Sequence, residues 1–271
     1  MTIAAGFRMP DAIVLCADTQ ETATSFKYSV AKIDVVETKN CTMAIAGSGQ
    51  VAFIDKVIER ILNAVSNAGK MKLDIARAIE DSCVATYDQF WKLYPPDNLI
   101  EVDLIIGLST QDDIGLYVAN GPLVNKVDRF KTIGCGGELS RYIIDRMLSS
   151  QMPLGEAIVL ALYTLMQAKS YAVNCGGDSH LVVLSAGNRC SRLGRLHIDK
   201  TEKKLKELDD KSRNHLLFGL DSSLSDEDFV ILEKRLGSKV DLERVRSGFS
   251  SRKDWELMTK ALEEEIGKVP D

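Results

Sequence analysis

Met1-Thr2-Ile3-Ala4-Ala5-Gly6-Phe7 opens the chain, and Ile13-Val14-Leu15-Cys16-Ala17-Asp18-Thr19 follows it. Ile3–Phe7 and Ala12–Ala17 read as two strands around a turn at Met9-Pro10-Asp11. Asp18 ends this hairpin, sixteen positions after Thr2. If Met1 is removed, Thr2 becomes the first residue, with a hydroxyl and a free α-amine on one carbon skeleton. Such a residue is a nucleophile carrying its own general base.

Reading outward, Lys32–Val36 and Thr42–Ala46 form a second strand pair around Thr38-Lys39-Asn40. A glycine turn follows in Ala44-Ile45-Ala46-Gly47-Ser48-Gly49. Val51, Ile54, Val57, Ile58, Ile61 and Val65 recur at helical spacing, with Gly69 as a stop. A second helix runs from about Leu73 to Leu93 and ends at Pro95-Pro96. Strands return at Asp103–Leu108 and Ile114–Val118, around Gln111-Asp112-Asp113, then at Leu123–Val127 and Lys131–Ile133. Two further helices cover about Glu138–Ser149 and Leu154–Tyr171. The latter is apolar almost all round, so it is expected to be buried on more than one side. His180–Ser185 and Arg195–Ile198 close the strand set. Strands, helices, strands, helices and strands in blocks predict an α+β fold, with stacked antiparallel sheets and helices on their outer faces.

The chain changes character after 198. Lys200–Lys211 is a charged stretch, read as a solvated helix or linker. Ser225–Asp228 looks like a helix start, and Ser251–Asp254 opens an amphipathic helix with Trp255, Met258, Leu262 and Ile266 on one face. That face packs either on this chain's own body or on a neighbour. The expected division is 1–198 for the main domain and 199–271 for a charged, mostly helical extension.

Composition narrows the function. The 271 residues suffice to bury a full core in one domain, and 45% apolar with 27% charged residues is ordinary for a globular protein. Net charge is −5 and no Lys/Arg block stands out, which argues against nucleic-acid binding through a basic patch. Cys16, Cys41, Cys83, Cys135, Cys175 and Cys190 include no C-x-x-C pair, so they read as free thiols in a reducing compartment. His180, His197 and His215 lack metal-ligand spacing, so neither a metal nor another cofactor is expected. No basic flank or signal-like segment precedes the first strand, and the apolar run Ala157–Met166 is too short to span a bilayer. A cytoplasmic protein without a membrane partner is expected.

Thr2, Asp18, Lys32 and Gly47, in that order, resemble the proteasome β-subunit family and its bacterial relative, the HslV-type peptidase, over roughly residues 2 to 198. These are N-terminal-nucleophile hydrolases. Asp18-Thr19-Gln20-Glu21-Thr22 is also similar to the family's segment after its second strand. The resemblance implies a four-layer αββα sandwich. It implies a threonine-type endopeptidase, in a homo-oligomeric ring or shell, that degrades peptides or unfolded intracellular proteins. It also implies an unfolding ATPase as partner.

The resemblance assigns roles residue by residue. Thr2 is the nucleophile, and its α-amine, with a pKa of about 7.7–8.0, is a base matched to neutral pH. Lys32 supplies a cation that disfavours the protonated amine. Asp18 pairs with Lys32 and offsets its burial. Gly47 presents its backbone N–H to the oxyanion, a donor worth roughly 3 kcal/mol in the barrier. Thr22 and Gly47 bind an extended peptide through main-chain hydrogen bonds, and Ile45 sits near the mouth of the primary pocket. Cys135, in Gly134-Cys135-Gly136-Gly137, and Cys175, in Tyr171-Ala172-Val173-Asn174-Cys175-Gly176-Gly177, stand where the family carries serines. Ala172 stands where it carries an aspartate, for which Asn174 or Asp178 are the nearby substitutes.

Those departures keep other readings open. One is a non-catalytic structural subunit of such an assembly. Another is an N-terminal-nucleophile amidohydrolase acting on a small amide, since fold does not fix substrate. A thiol nucleophile at Cys135 or Cys175 would need a histidine base, for which His180 is the local candidate. The stretch from Asp18 to Lys32 is also slightly shorter than the family's usual one.

Overall fold

The computed structural model describes residues 2–23, 26–68, 72–91 and 102–219. Within these, four strands come first: β1 (Ile3–Arg8), β2 (Ala12–Asp18), β3 (Gln20–Ala23) and β4 (Phe26–Ser29). β5 (Ile33–Glu37) and β6 (Cys41–Gly49) lead into helices α1 (Val51–Ser66) and α2 (Lys72–Trp91). Then come β7 (Val102–Thr110), β8 (Ile114–Asn120), β9 (Leu123–Val127) and β10 (Phe130–Gly134). Helices α3 (Gly137–Met147) and α4 (Leu154–Tyr171), strands β11 (Ser179–Ser185) and β12 (Arg189–Arg192), and helix α5 (Arg195–Gly219) complete the order. The described residues fall into two compact units divided between Leu193 and Gly194, and α5 belongs to the second.

The first unit contains three antiparallel sheets, with strand orders β10-β1-β2-β11-β12, β3-β4 and β5-β6-β7-β8-β9. Side chains alternate along a strand, so each large sheet offers two faces. Ile13, Leu15 and Ala17 of β2 join Ala44 and Ala46 of β6, Ile105 of β7 and Leu116 of β8 in one buried cluster shared by the two sheets. The opposite face of the β6–β7 pair offers Met43, Ile45, Ile106 and Leu108, which α1 and α2 cover with Phe53, Val57, Ile61, Ile75 and Ile79. α3 and α4 pack against β1, β2 and β10 of the other sheet. β2 is therefore buried at every position. Each such Ile, Leu or Phe contributes on the order of 1.5–3 kcal/mol through burial.

Register positions the site. Ile3 pairs with Gly134, Ala4 with Ala17, and Asp18 with Ser179. Thr2, Asp18, Gly134 and Ser179 are thereby gathered at one end of one sheet.

Several sequence expectations change. β3 and β4 pair antiparallel, which apolar alternation does not announce, because every residue of β4 is exposed. Lys32 precedes the fifth strand rather than opening the third. β6 runs on through Gly47-Ser48-Gly49, because β7 pairs with it as far as Gly49↔Val102. The closing strand is β12, reached through Gly187 and Asn188 at φ +88 and +56, and residues 195–198 instead begin α5. The stops at Gly69 and Pro95-Pro96, the removal of Met1 and the helices expected after 219 lie outside the described residues. Among the described residues no helix is long and apolar enough to cross a membrane.

Candidate active site

Asp18 is the last residue of β2 and is completely buried. A carboxylate there needs donors, because an unpaired buried charge is costly. Four are present. The Thr2 hydroxyl donates to Oδ1 at 2.8 Å, the Ile3 N–H to Oδ1 at 3.1 Å and the Lys32 ammonium to Oδ1 at 2.7 Å. The Gly176 N–H donates to Oδ2 at 2.9 Å. The Lys32 side chain is 10% exposed and also donates to the carbonyl of Gln20. A cation, a hydroxyl and a carboxylate thus share one nearly dry site, where each interaction is stronger than in water.

Thr2 itself is buried and held from the other side by its carbonyl. Cys135 Sγ donates to that oxygen at 3.4 Å, and the Gly136 N–H reaches it at 3.4 Å. Gly134 adopts φ +83, and a β-carbon there would stand 2.1 Å from the Thr2 carbonyl oxygen. Glycine alone fits that close approach. Cys175 lies 3.5 Å from Cys135, sulfur to sulfur.

Burial pushes the Cys175 thiol well up, helped by its contact with Cys135 and by the charge of Asp18, with Lys32 working against them. A thiol so held is a poor nucleophile, because the thiolate is the reactive form. His180 sits on β11 opposite Ala17 in register.

The remaining expected residues are placed as follows. Gly47 lies within β6, where Ile54 of α1 and Leu104 of β7 close on its α-carbon. Ile45 is fully buried in the cluster under α1 and α2, so its side chain packs there rather than reaching solvent. Thr22 is half-buried on β3, its hydroxyl 3.5 Å from the Gln20 amide nitrogen. Ala172 caps the end of α4 and offers only its backbone, accepting from the Cys175 N–H at 3.1 Å. The Asp178 N–H donates to the Thr19 hydroxyl at 2.8 Å.

Sequence reading did not find the Gly176 N–H, the Gln20 carbonyl or the Lys169 ammonium, which donates to Ser179 at 2.8 Å beside Asp18. The Gly176-Gly177 doublet was the available signal for the first, since both glycines lie against Gln20 and Thr19. A groove of about 510 Å³ runs along β10 and α3, lined by Phe130, Thr132, Gly134 and Glu138 among others, but Thr2, Asp18 and Lys32 do not line it. Among the described residues no group of three or more His, Cys, Asp or Glu could hold a metal ion.

No protein-family model matches the chain, and no curated protein sequence does. Solved structures do. An Anbu (Gly-1) mutant from Hyphomicrobium sp. strain MC1 matches with TM-score 0.65 and 17% identity, over 80% of this chain and 99% of that one. Anbu from Yersinia bercovieri, described as an ancestral beta-subunit, matches with TM-score 0.63 and 11% identity, over 83% and 98%. The Anbu complex from Pseudomonas aeruginosa, solved as a helical assembly, matches with TM-score 0.64 and 12% identity, over 83% and 99%. The fold is the Anbu fold. This corrects the resemblance drawn from sequence to proteasome β subunits and the HslV-type peptidase, because these neighbours are Anbu proteins. The physical reason is plain. The residues behind that resemblance are a handful of short local patterns, and so few positions do not separate one relative from another.

Proposed function

We propose that this chain is a threonine-type amide hydrolase with Thr2 as nucleophile after removal of Met1, working as a subunit of a self-assembling particle on peptide substrates. The observation that supports it most is the convergence of the Thr2 hydroxyl and the Lys32 ammonium on one oxygen of buried Asp18. A purely structural sheet end has no use for a desolvated cation beside a hydroxyl.

The steps follow from those groups. The free α-amine of Thr2 takes the hydroxyl proton as Oγ1 attacks the scissile carbonyl carbon. The Gly47 N–H receives the oxyanion. Collapse breaks the C–N bond, and the leaving amine takes the proton. Water, deprotonated by the same amine, then hydrolyses the ester and restores Thr2. Lys32 favours the neutral amine and the developing negative charge. Asp18 and the Gly176 N–H fix the position of Lys32, and Cys135 steadies Thr2 through its carbonyl. Thr22 and the β6 edge near Gly47 hold an extended peptide by strand-like bonds, with Ile45 shaping that side from within the core.

The assembled architecture belongs to the same reading. The layers are read as αββα, supported by the cluster between the large sheets and by helices on their outer faces. Residues 1–198 are taken as the hydrolase domain and 199–271 as a charged, mostly helical extension, of which residues 199–219 of α5 are the described part. Self-assembly draws support from the helical Anbu complex of P. aeruginosa. A cytoplasmic setting fits free cysteines, and an unfolding ATPase fits a protein substrate.

A second reading, a non-catalytic subunit, is favoured by Ala172, which brings no carboxylate to the site. Intact-mass spectrometry before and after a peptide epoxyketone separates the two. That probe closes its ring only on a residue bearing both a hydroxyl and a free amine. Loss of Met1 with one adduct on Thr2 is the expected result. A retained Met1, or a free Thr2 that takes no adduct in the assembled particle, favours the structural subunit.

A further inference from the structure

Two sulfurs meet beside Thr2. Cys135 lies in the turn between β10 and α3 and is exposed, whereas Cys175 lies in the turn after α4 and is buried. They are 40 positions apart in the chain, yet their sulfurs stand 3.5 Å from each other. The hydrolytic cycle uses neither thiol as a reacting group. We infer that Cys135 and Cys175 form an oxidisable dithiol, a modification site that closes to a disulfide under a peroxide and reopens under a thiol reductant.

The geometry divides the labour. Cys135 immediately precedes the Gly136 cap of α3. It is also the exposed residue of the pair. Its thiolate attacks a peroxide oxygen, an S–O bond forms, the O–O bond breaks, and water leaves after taking a proton. Cys175, whose thiol burial holds in the protonated form, does not begin the reaction but completes it. Its sulfur attacks Cys135 Sγ, the S–S bond forms, the S–O bond breaks, and the departing hydroxide takes the Cys175 proton. In sum, two thiols and one hydrogen peroxide give one disulfide and two waters, with two electrons passing from sulfur to peroxide. Bonding distance is about 2.05 Å, so the sulfurs approach by about 1.5 Å, within reach of side-chain rotation at exposed Cys135.

Closure acts on Thr2. The Cys135 S–H that donates to the Thr2 carbonyl is consumed, and the turns before α3 and after α4 become tied together. The modification stands apart from the hydrolytic reading, because it needs neither the Thr2 hydroxyl nor its amine.

Hydrogen peroxide titration of the full chain, followed by alkylation, digestion and mass mapping, tests it. The expected result is a crosslinked peptide joining Cys135 to Cys175 with loss of two hydrogens, released by dithiothreitol and absent from Cys135→Ser and Cys175→Ser. The crosslink should form equally in Thr2→Ala, which separates this result from the fate of the hydrolase proposal. Cys135 driven to sulfinic acid while Cys175 stays alkylatable overturns the inference, as does Cys135 paired with any other cysteine. Cys135 is exposed, so Cys135→Ser keeps the fold and the test stands even if Cys175→Ser does not fold.

Discussion

Three donors converge on Asp18 Oδ1 and one on Oδ2, so removing the carboxylate takes an acceptor from all four at once. Asp18→Ala leaves the Lys32 ammonium nearly buried without its carboxylate, still donating to the Gln20 carbonyl. Breaking one half of a buried pair costs about 3–5 kcal/mol, and that loss is expected in urea unfolding of the variant. Adding Lys32→Met should recover part of it, because the uncompensated charge goes too. A single variant within about 1 kcal/mol of the natural chain would show that water already screens the pair. Gly134 makes a second prediction of this kind. Its φ of +83 and the 2.1 Å approach to the Thr2 oxygen leave no room for a methyl group. Gly134→Ala must push Thr2 aside, and displacing a reacting group by about 1 Å costs roughly 100-fold in rate. The rate of epoxyketone adduct formation reads this directly, and an unchanged rate would show that the close approach of Gly134 does not set the position of Thr2.

Elements were legible where burial leaves a periodic mark. α1 shows its apolar stripe because one face only meets β6 and β7, and α4 is apolar all round because it is buried on nearly every side. β3 and β4 were not legible, since two strands held by backbone pairing, one of them exposed, leave no hydrophobic signature. The extension of β6 through two glycines was hidden for a similar reason: the ladder with β7 overrides the local turn signal. The site follows the same division. Thr2, Asp18 and Lys32 carry side-chain chemistry and could be named, whereas the Gly176 N–H and Gln20 carbonyl are backbone groups with no residue signature. Helix packing offers its own test. Phe53 of α1 meets Tyr87 and Phe90 of α2 edge-on, at centroid distances of 5.0 and 5.1 Å. Phe53→Ala should cost about 3–5 kcal/mol in denaturant unfolding. Phe53→Leu should cost clearly less, by filling most of the volume. Equal losses from both would mean that the ring contacts rather than the filled space hold α1 to α2.

Across the whole molecule the cysteines make stability depend on alkaline pH. Burial pushes the Cys16 thiol up to about 12 and the Cys83 and Cys190 thiols up to about 11, from an ordinary value of 9.0. Cys16 lies within the β2 layer and Cys83 within the helical side of the core, so the effect is spread through the first unit. Unfolding exposes each thiol and returns it to the ordinary value. Between that value and the folded one, the unfolded chain binds fewer protons than the folded chain. Unfolding then releases protons, and stability, intact below pH about 9, falls as pH rises. Each thiol in this window contributes a slope of about 1.4 kcal/mol per pH unit. Urea midpoints measured from about pH 8 to about pH 10.5 should decline, steepening once the unfolded thiols ionise. Cys16→Ala removes the thiol with the widest window and should flatten that decline, although it lowers the starting stability by emptying a little of the core. A Cys16→Ala slope equal to that of the natural chain would take the Cys16 thiol out of the alkaline loss. The ordering of the two slopes, not the absolute stability, is therefore the quantity that decides whether the buried Cys16 thiol contributes to the upper pH limit of the fold.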